Sequence, residues 1–253
     1  MIANFLLQID LASRIVLRTP LMTADALLAG ILFKRYGGDH ERAIRELPIE
    51  HVEGVPQASV ILPYSFAGRA VEHVKHIRSI MRDMDHDPDL ATILDRMPAK
   101  SDLTPSEGPL SSIDNTYPTY DIPKIFFIGR GDPDEVQRIV ADAAFIGPQK
   151  HRGHGQVSAC RIRTIVAPET AANKWFGIVG SRNERNMVLR PIPLRLRGLL
   201  PTDLRFAVSH ETWHNPYFSG FPNAVVEDCA VPLFAAGETF YEAEIERDLC
   251  RMV

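Results

Sequence analysis

The chain has 253 residues, a formal net charge of −4, and 45% hydrophobic and 24% charged residues. This composition is typical of a globular protein that is long enough to bury a sizeable core. The negative net charge excludes a protein that binds nucleic acid with its whole surface, so any such site must be a local basic patch.

Cysteine use and the N-terminal sequence indicate a cellular compartment. Cys160, Cys229 and Cys250 are too few and too far apart for a disulfide framework or a zinc ribbon. The stretch MIANFLLQIDLAS lacks the basic start and long apolar run of a signal peptide, because Asp10 interrupts it. No segment approaches the roughly 18 apolar residues of a membrane span. We therefore expect a cytoplasmic protein.

The first elements in chain order are predicted to be a strand, a helix and a strand. Apolar residues alternate along residues 5–11, as in a strand with one buried face. Thr23 has the position of a helix N-cap, an apolar stripe follows over residues 27–32, and Gly37 marks the end of that helix. A second strand is predicted over residues 58–62.

Residues 64–123 interrupt this alternation, and we expect them to form an inserted helical and loop segment. Residues 67–84 have helical spacing of their apolar positions, with a basic outer face. Six prolines punctuate the rest of the segment, which argues against one regular element.

A strand, helix and strand are predicted again over residues 124–166. Asp132 followed by Pro133 is a strong helix start. In the last strand Cys160 and Ile162 lie on one face, with Arg161 and Arg163 on the other. The order predicts an α+β protein with a ferredoxin-like (RRM-like, split βαβ) core at residues 1–63 and 124–166. Residues 167–253 are predicted to be a β-rich C-terminal extension with an acidic tail.

The segment FIGPQKHRGHGQV lies between the predicted second helix and the last strand of this core. It places cationic and titratable side chains around two glycines: Lys150, His151, Arg152, Gly153, His154 and Gly155. Phosphate loops of nucleotide enzymes precede a helix, whereas this loop follows one, where the helix dipole repels anions. An anion site here needs its own cations, which the loop has. A tight structural turn is the alternative interpretation.

Arg161 and Arg163 extend the positive surface along the strand that follows this glycine loop. Lysine and arginine clusters contact phosphates and bind nucleic acid largely without regard to sequence. Together, these residues predict a local RNA-binding surface.

At this point the chain resembles a known family, the RAMP superfamily of CRISPR proteins, and within it the handle-binding (Cas-five-like) subunit of type IV complexes. The resemblance is carried by LMTADALLAG, by IFFIGRGDPDEVQRIV leading into the glycine loop, by LRPIPL, and by WHNPY with the later CAVP. In the loop, Pro148 and Gln149 stand where basic residues are common in the family.

The resemblance implies a non-catalytic protein without metal or cofactor. Such a subunit grips the 5′ handle of the crRNA, caps the backbone filament of the ribonucleoprotein and docks the large subunit, while contact with target DNA near the PAM stays open. Residues 150–155 would hold handle phosphates, and Arg18 and Thr19 would be second contacts. Residues 64–123 would correspond to the projecting thumb of the family.

Two enzymatic alternatives stay open. A crRNA-processing endoribonuclease of the same superfamily would use scattered histidines for acid–base chemistry, and His40 and His51 are the candidates. His210, Glu211 and His214 satisfy the HExxH spacing of zinc proteases. The alternating apolar residues before that motif and Asn215-Pro216 after it argue against the helix that such a zinc site needs.

Overall fold

The computed structural model describes residues 1–17, 21–63, 69–76, 113–148, 150, 153–165, 174–182, 185–214 and 225–233. In this part of the chain the strands are β1 (Ala3–Leu11), β2 (Ile15–Val16), β3 (His51–Val52), β4 (Val55–Pro56), β5 (Leu62–Pro63), β6 (Arg69–His76), β7 (Ile113–Tyr120), β8 (Lys124–Gly131), β9 (Val157–Ile165), β10 (Val179–Arg182), β11 (Arg185–Val188), β12 (Ile192–Pro193), β13 (Ala207–Thr212) and β14 (Val226–Val231). The helices are α1 (Ala24–Arg35), α2 (His40–Arg45) and α3 (Pro133–Ala141), with a 3-10 helix at Leu194–Leu199. The protein is therefore α+β, with strands predominating in the described residues. No helix in these ranges is long and apolar enough to cross a membrane.

The largest sheet has four strands in the order β5-β8-β1-β9, and every neighbouring pair is antiparallel. In the centre of the sheet Leu7 of β1 lies opposite Phe127 of β8 and Ile162 of β9. Helix α1 follows β1, and α3 connects β8 to β9. The strands predicted near residues 5–11, 124–128 and 158–166 are confirmed, whereas the predicted strand at residues 58–62 is reduced to isolated bridges and the two residues of β5.

One face of this sheet packs against α1 and α3. Phe5, Leu7 and Ile9 are fully buried there with Leu28 and Ile139 from the two helices. The helix starts are those that the sequence predicts. Thr23 caps α1 by accepting a hydrogen bond from the Ala26 backbone N–H, and Asp132 caps α3 by accepting from Asp134 and Glu135.

The opposite face of the sheet is covered by the β10–β11 hairpin and its flanks. Leu6, Phe126 and Ile128 of the sheet are buried with Phe176 and Leu189. A third cluster joins Val52 and Val55 to Trp175, Ile192 and Trp213, beside the three-stranded sheet of order β12-β14-β13. Phe176 and Leu189, from the later part of the chain, therefore share a core with the four-stranded sheet.

A buried ion pair links these parts. The side chains of Arg190 and Asp25 are both fully inaccessible, with Arg190 Nη1 3.2 Å from Asp25 Oδ1. The same guanidinium donates to the carbonyl oxygens of Pro56, Ala58 and Trp213 at 2.6–3.1 Å. Arg190 and Asp25 are 165 residues apart in the sequence, so no local pattern indicates this ion pair.

The chain divides into two compact units, residues 1–69 with 120–253, and residues 70–119. Strands β6 and β7 are hydrogen-bonded neighbours in a sheet. The helix predicted over residues 67–84 is wrong where the structure describes it, because residues 69–76 form β6. Residues 77–84, and most of the predicted insertion at 64–123, lie outside the described residues.

Candidate nucleic-acid interface

The glycine loop is closed at its base by a short antiparallel ladder. The Ile146 N–H donates to the Gly155 carbonyl at 2.8 Å, and the Val157 N–H donates to the Ala144 carbonyl at 2.9 Å. The loop between these pairs is the tip that carries the predicted phosphate contacts. Of those residues, His151 and Arg152 lie outside the described part of the chain, as do Arg18 and Thr19.

The turn after β1 holds the glycine loop in place through hydrogen bonds. The Ser13 hydroxyl donates to the Gly153 carbonyl at 2.7 Å and accepts from the Gln156 N–H at 2.9 Å. The Gly155 N–H donates to the Arg14 carbonyl at 2.7 Å. Arg14 is exposed beside the loop, within 4.0 Å of Asp121. Sequence reasoning missed Ser13 and Arg14, since a contact across 140 residues leaves no local signal.

The two glycines of the tip have different structural roles. Gly153 has φ +80° and open space around its missing Cβ, and it is exposed. Gly155 has φ +70° and is buried, with the Ile146 carbonyl oxygen only 2.0 Å from where a Cβ would lie. Close backbone approach therefore explains Gly155 as a structural residue, whereas only Gly153 presents main chain to solvent. His154 is half-buried between them.

Lys150 lies on the helix side of the loop. It is half-buried and lines a cavity with Lys34 and Arg35 from the last turn of α1. Desolvation lowers the pKa of Lys150, and the nearby charge of Lys34 lowers it further. Lys150 therefore lies in a cluster of cations with Lys34 and Arg35, two residues that the sequence analysis did not single out as site residues.

Arg161 and Arg163 lie on the face of β9 that is turned away from the helices. They alternate with Cys160 and Ile162, which pack against the helix-side core, and both arginines are exposed. The Arg161 guanidinium is 3.8 Å from an Asp10 carboxylate oxygen, which offsets part of its charge. The structure therefore divides the predicted residues, with Lys150 in the helical layer and the two arginines on the opposite face.

The predicted acid–base histidines lie on different elements. His40 begins α2 and places its ring edge-on to Phe33, with 6.2 Å between ring centroids. His51 belongs to β3 and keeps an exposed face. Its pKa is lowered, chiefly because the surrounding protein desolvates the protonated ring. His51 is therefore neutral, and able to accept a proton, over a wider pH range than an ordinary histidine.

The HETWH motif does not form a helix. His210 and Glu211 belong to strand β13, and His214 follows it. His210 Nδ1 is 3.2 Å from Asp228 Oδ1, while the Trp213 indole N–H donates to Glu227 at 2.6 Å. Within the described ranges, no three His, Cys, Asp or Glu side chains are grouped so as to hold a metal ion. The helical geometry of a zinc protease is absent from this segment.

No protein-family model matches the sequence, and no curated protein is significantly similar to it.

Proposed function

We propose that this chain is a non-catalytic RNA-binding subunit that grips the 5′ handle of the guide RNA in a type IV CRISPR ribonucleoprotein. The ferredoxin-like core that this role implies is supported by the strand order β5-β8-β1-β9 with antiparallel neighbours. One helix follows the first strand and another joins the third strand of this sheet to the fourth, as in a split βαβ unit.

The observation that carries the proposal is the exposed main chain at Gly153, at the tip of a loop that is held in place by Ser13. With open space within 4 Å of the missing Cβ, the backbone of Gly153 can come close to a phosphate. The Gly153 N–H donates to the Lys150 carbonyl at 3.0 Å, so this glycine favours RNA binding by letting a phosphate approach the main chain closely, and not by offering a free N–H. Because Ser13 holds the Gly153 backbone in place, less entropy is lost when RNA binds.

Local charge supports the same role. The loop follows the C-terminal end of α3, which repels anions, so a phosphate contact needs cations. Lys150, Arg152 and Arg14 supply positive charge in and beside the loop, and Arg161 and Arg163 supply it on the opposite face of the sheet, although the whole chain has a net charge of −4. Contacts of this kind bind the RNA backbone with little base specificity.

The proposed partners follow from the resemblance to handle-binding subunits. They are the crRNA, the backbone subunits and the large subunit of the complex, with target DNA near the PAM as a further contact to test. The role of residues 64–123 as a thumb and of Arg18 and Thr19 as second RNA contacts belongs to the same proposal.

The experiment is co-expression of the chain with a repeat–spacer RNA, followed by affinity purification and sequencing of bound RNA. We expect an uncut RNA of defined 5′ sequence. Replacing Lys150 and Arg152 by Ala should weaken binding and reduce the slope of log affinity against log salt by up to about two. The double variant Arg45→Ala/Lys174→Ala removes the same charge from other surfaces and should leave the slope unchanged. An unchanged slope in the loop variant would remove the loop from the interface.

An endoribonuclease of the same superfamily is the second candidate, because the His51 ring is exposed and its lowered pKa keeps it neutral, so that it can accept a proton. Cleavage of repeat RNA by the purified chain, abolished by His51→Ala or His40→Ala, would support this function over the non-catalytic one. Intact RNA after prolonged incubation would argue against it.

A further inference from the structure

A cavity of about 470 Å³ lies between the last turn of α1 and the segment that follows α3. Its polar walls are Lys34, Arg35, Asp142 and Lys150, and its apolar walls include Ile31 and Phe145. The volume is within the usual range of small-molecule sites, and the mixture of apolar surface with a few convergent polar groups is also typical of them.

The charges of the cavity are unevenly matched. Arg35 Nη2 is 2.5 Å from Asp142 Oδ2, so these two groups offset each other. Lys34 and Lys150 form no ion pair with an acid in the part of the chain that the structure describes; both line the cavity, and the charge of Lys34 lowers the pKa of Lys150 further than desolvation does alone. The cavity therefore has an excess of two positive charges at one place.

The helix end explains only part of this arrangement. Cations in the last turn of a helix are stabilised by its C-terminal carbonyl groups, which accounts for Lys34 and Arg35. Lys150 comes from a different segment, and its half-buried position costs both desolvation and repulsion from Lys34. A bound anion between the two ammonium groups would offset both costs.

We propose that this cavity binds the terminal phosphate of a nucleotide between Lys34 and Lys150, with the base or sugar against Ile31 and Phe145. Two ammonium groups match the near-dianionic charge of a phosphate monoester better than the single charge of a carboxylate or of an internal phosphodiester. Lysine is a common phosphate ligand, and apolar walls fit the organic part of a nucleotide. The nucleotide can be free or can end an RNA chain, and neither case requires the guide-RNA role proposed above.

The test compares ligands with and without a terminal phosphate on the full chain. Calorimetric titration should show that AMP binds at least about tenfold more tightly than adenosine, because only AMP engages both lysines. Single-stranded RNA 20-mers with a phosphate at the 5′ or 3′ end, each compared with its hydroxyl form, separate an RNA terminus from a free nucleotide. If either phosphorylated RNA binds more tightly than its hydroxyl form, the ligand is an RNA end. If only AMP binds more tightly than its unphosphorylated form, adenosine, the ligand is a free nucleotide.

Substitutions locate the ligand. Lys34→Gln and Lys150→Gln should each weaken AMP binding about tenfold or more, whereas Arg45→Gln, an exposed cation outside the cavity, should not. Ala144→Phe narrows the cavity without changing charge and should also weaken binding. Circular dichroism and thermal unfolding confirm that each variant is folded.

Equal affinity for AMP and adenosine, together with equal affinity for phosphorylated and hydroxyl RNA, would overturn the proposal. So would undiminished AMP binding in both lysine variants. RNA that binds Lys34→Gln as well as wild type, but fails to bind the Lys150/Arg152 variant, would exclude an RNA end from the cavity and retain the glycine loop. Lys34 lies outside the glycine loop, so Lys34→Gln tests the cavity separately from the loop.

Discussion

Gly153 and Gly155 are two residues apart and both have a positive φ, but only Gly155 is crowded. A side chain at position 155 would collide with the Ile146 carbonyl oxygen, which cannot easily move because the hydrogen bonds from the Ile146 N–H to Gly155 and from the Val157 N–H to Ala144 fix the base of the loop. A side chain at position 153 would point into open space. One glycine thus builds the loop, and the other leaves its tip unobstructed.

Substitution by alanine should separate these roles. Gly155→Ala combines a left-handed backbone penalty of about 1–2 kcal/mol with a steric clash, so we expect a loss of more than about 2 kcal/mol in the free energy of unfolding. Gly153→Ala should lose only the backbone penalty, and Gly153→Asn less, because Asn tolerates this conformation. Urea denaturation followed by circular dichroism measures all three. Equal losses at the two positions would contradict the packing argument.

The sequence predicts the place of this loop but not its support. The glycine pair, the helix before it and the strand after it are all local patterns. The hydrogen bonds of Ser13 to Gly153 and Gln156 join segments about 140 residues apart, so no spacing in the sequence indicates them. For the same reason the sequence does not indicate that Lys34 and Lys150 line one cavity, which is visible only in the fold.

At the scale of elements, helix α3 begins as the sequence predicts, and its cap adds an electrostatic contact. Asp132 accepts hydrogen bonds from the N–H groups of Asp134 and Glu135, and its carboxylate lies 2.7 Å from the Met1 amine. The pKa of Asp132 is lowered, first by the hydrogen bond with that amine and then by the backbone N–H of Glu135. The charged carboxylate therefore stabilises the folded state.

This cap predicts a pH dependence. Since the pKa of Asp132 is lower in the folded than in the unfolded chain, its contribution is present above the unfolded value of about 3.9 and is lost as pH falls through the folded value. Wild type should exceed Asp132→Asn in urea midpoint at pH 6, and the difference should shrink below about pH 4. Acetylation of the Met1 amine should remove much of the difference at pH 6. A difference that stays constant between pH 6 and pH 2 would contradict the assignment.

A helix or strand is harder to predict when its conformation depends on pairing with a segment that is distant in the sequence. Residues 69–76 have apolar positions three apart, which favours a helix, but Val71 and Val74 are β-branched, and the segment forms a strand beside β7, nearly forty residues later. In the C-terminal extension predicted to be β-rich, the short strands β11 and β12 do form, but Leu194–Leu199 after them is a 3-10 helix. There Arg197 donates to the carbonyl groups of Leu200, Pro201 and Thr202 and so holds the turn.

Over the whole molecule, Arg190 connects segments that are far apart in the chain. Its guanidinium contacts the start of α1 at Asp25, the backbone at Pro56 and Ala58, and the backbone of Trp213. Six arginines lie between residues 182 and 205, and Arg190 among them is fully buried. Burial of a cation is a property of the assembled fold, which local patterns do not reveal.

Arg190→Met should therefore be strongly destabilising. It leaves the Asp25 carboxylate buried without this partner, which typically costs about 3–5 kcal/mol. Asp25→Asn combined with Arg190→Met removes the second charge as well and should recover part of the loss. Urea unfolding of the two single variants and the double variant measures the coupling. A loss below about 1 kcal/mol for Arg190→Met would show that the pair does not hold these segments together.

The position of β9 at the end of its sheet limits what kind of polymer this protein can hold. Arg161 and Arg163 project from one side of that strand, while the cavity at Lys150 opens in the helical layer on the other. A chain that touches both must curl round the rim of the sheet within a few nucleotides. A double helix is too stiff to turn this sharply within a few base pairs, since the persistence length of duplex DNA is about 150 base pairs. Unpaired RNA can make the bend, so hybridising the bound segment to a complementary strand should detach it from one side.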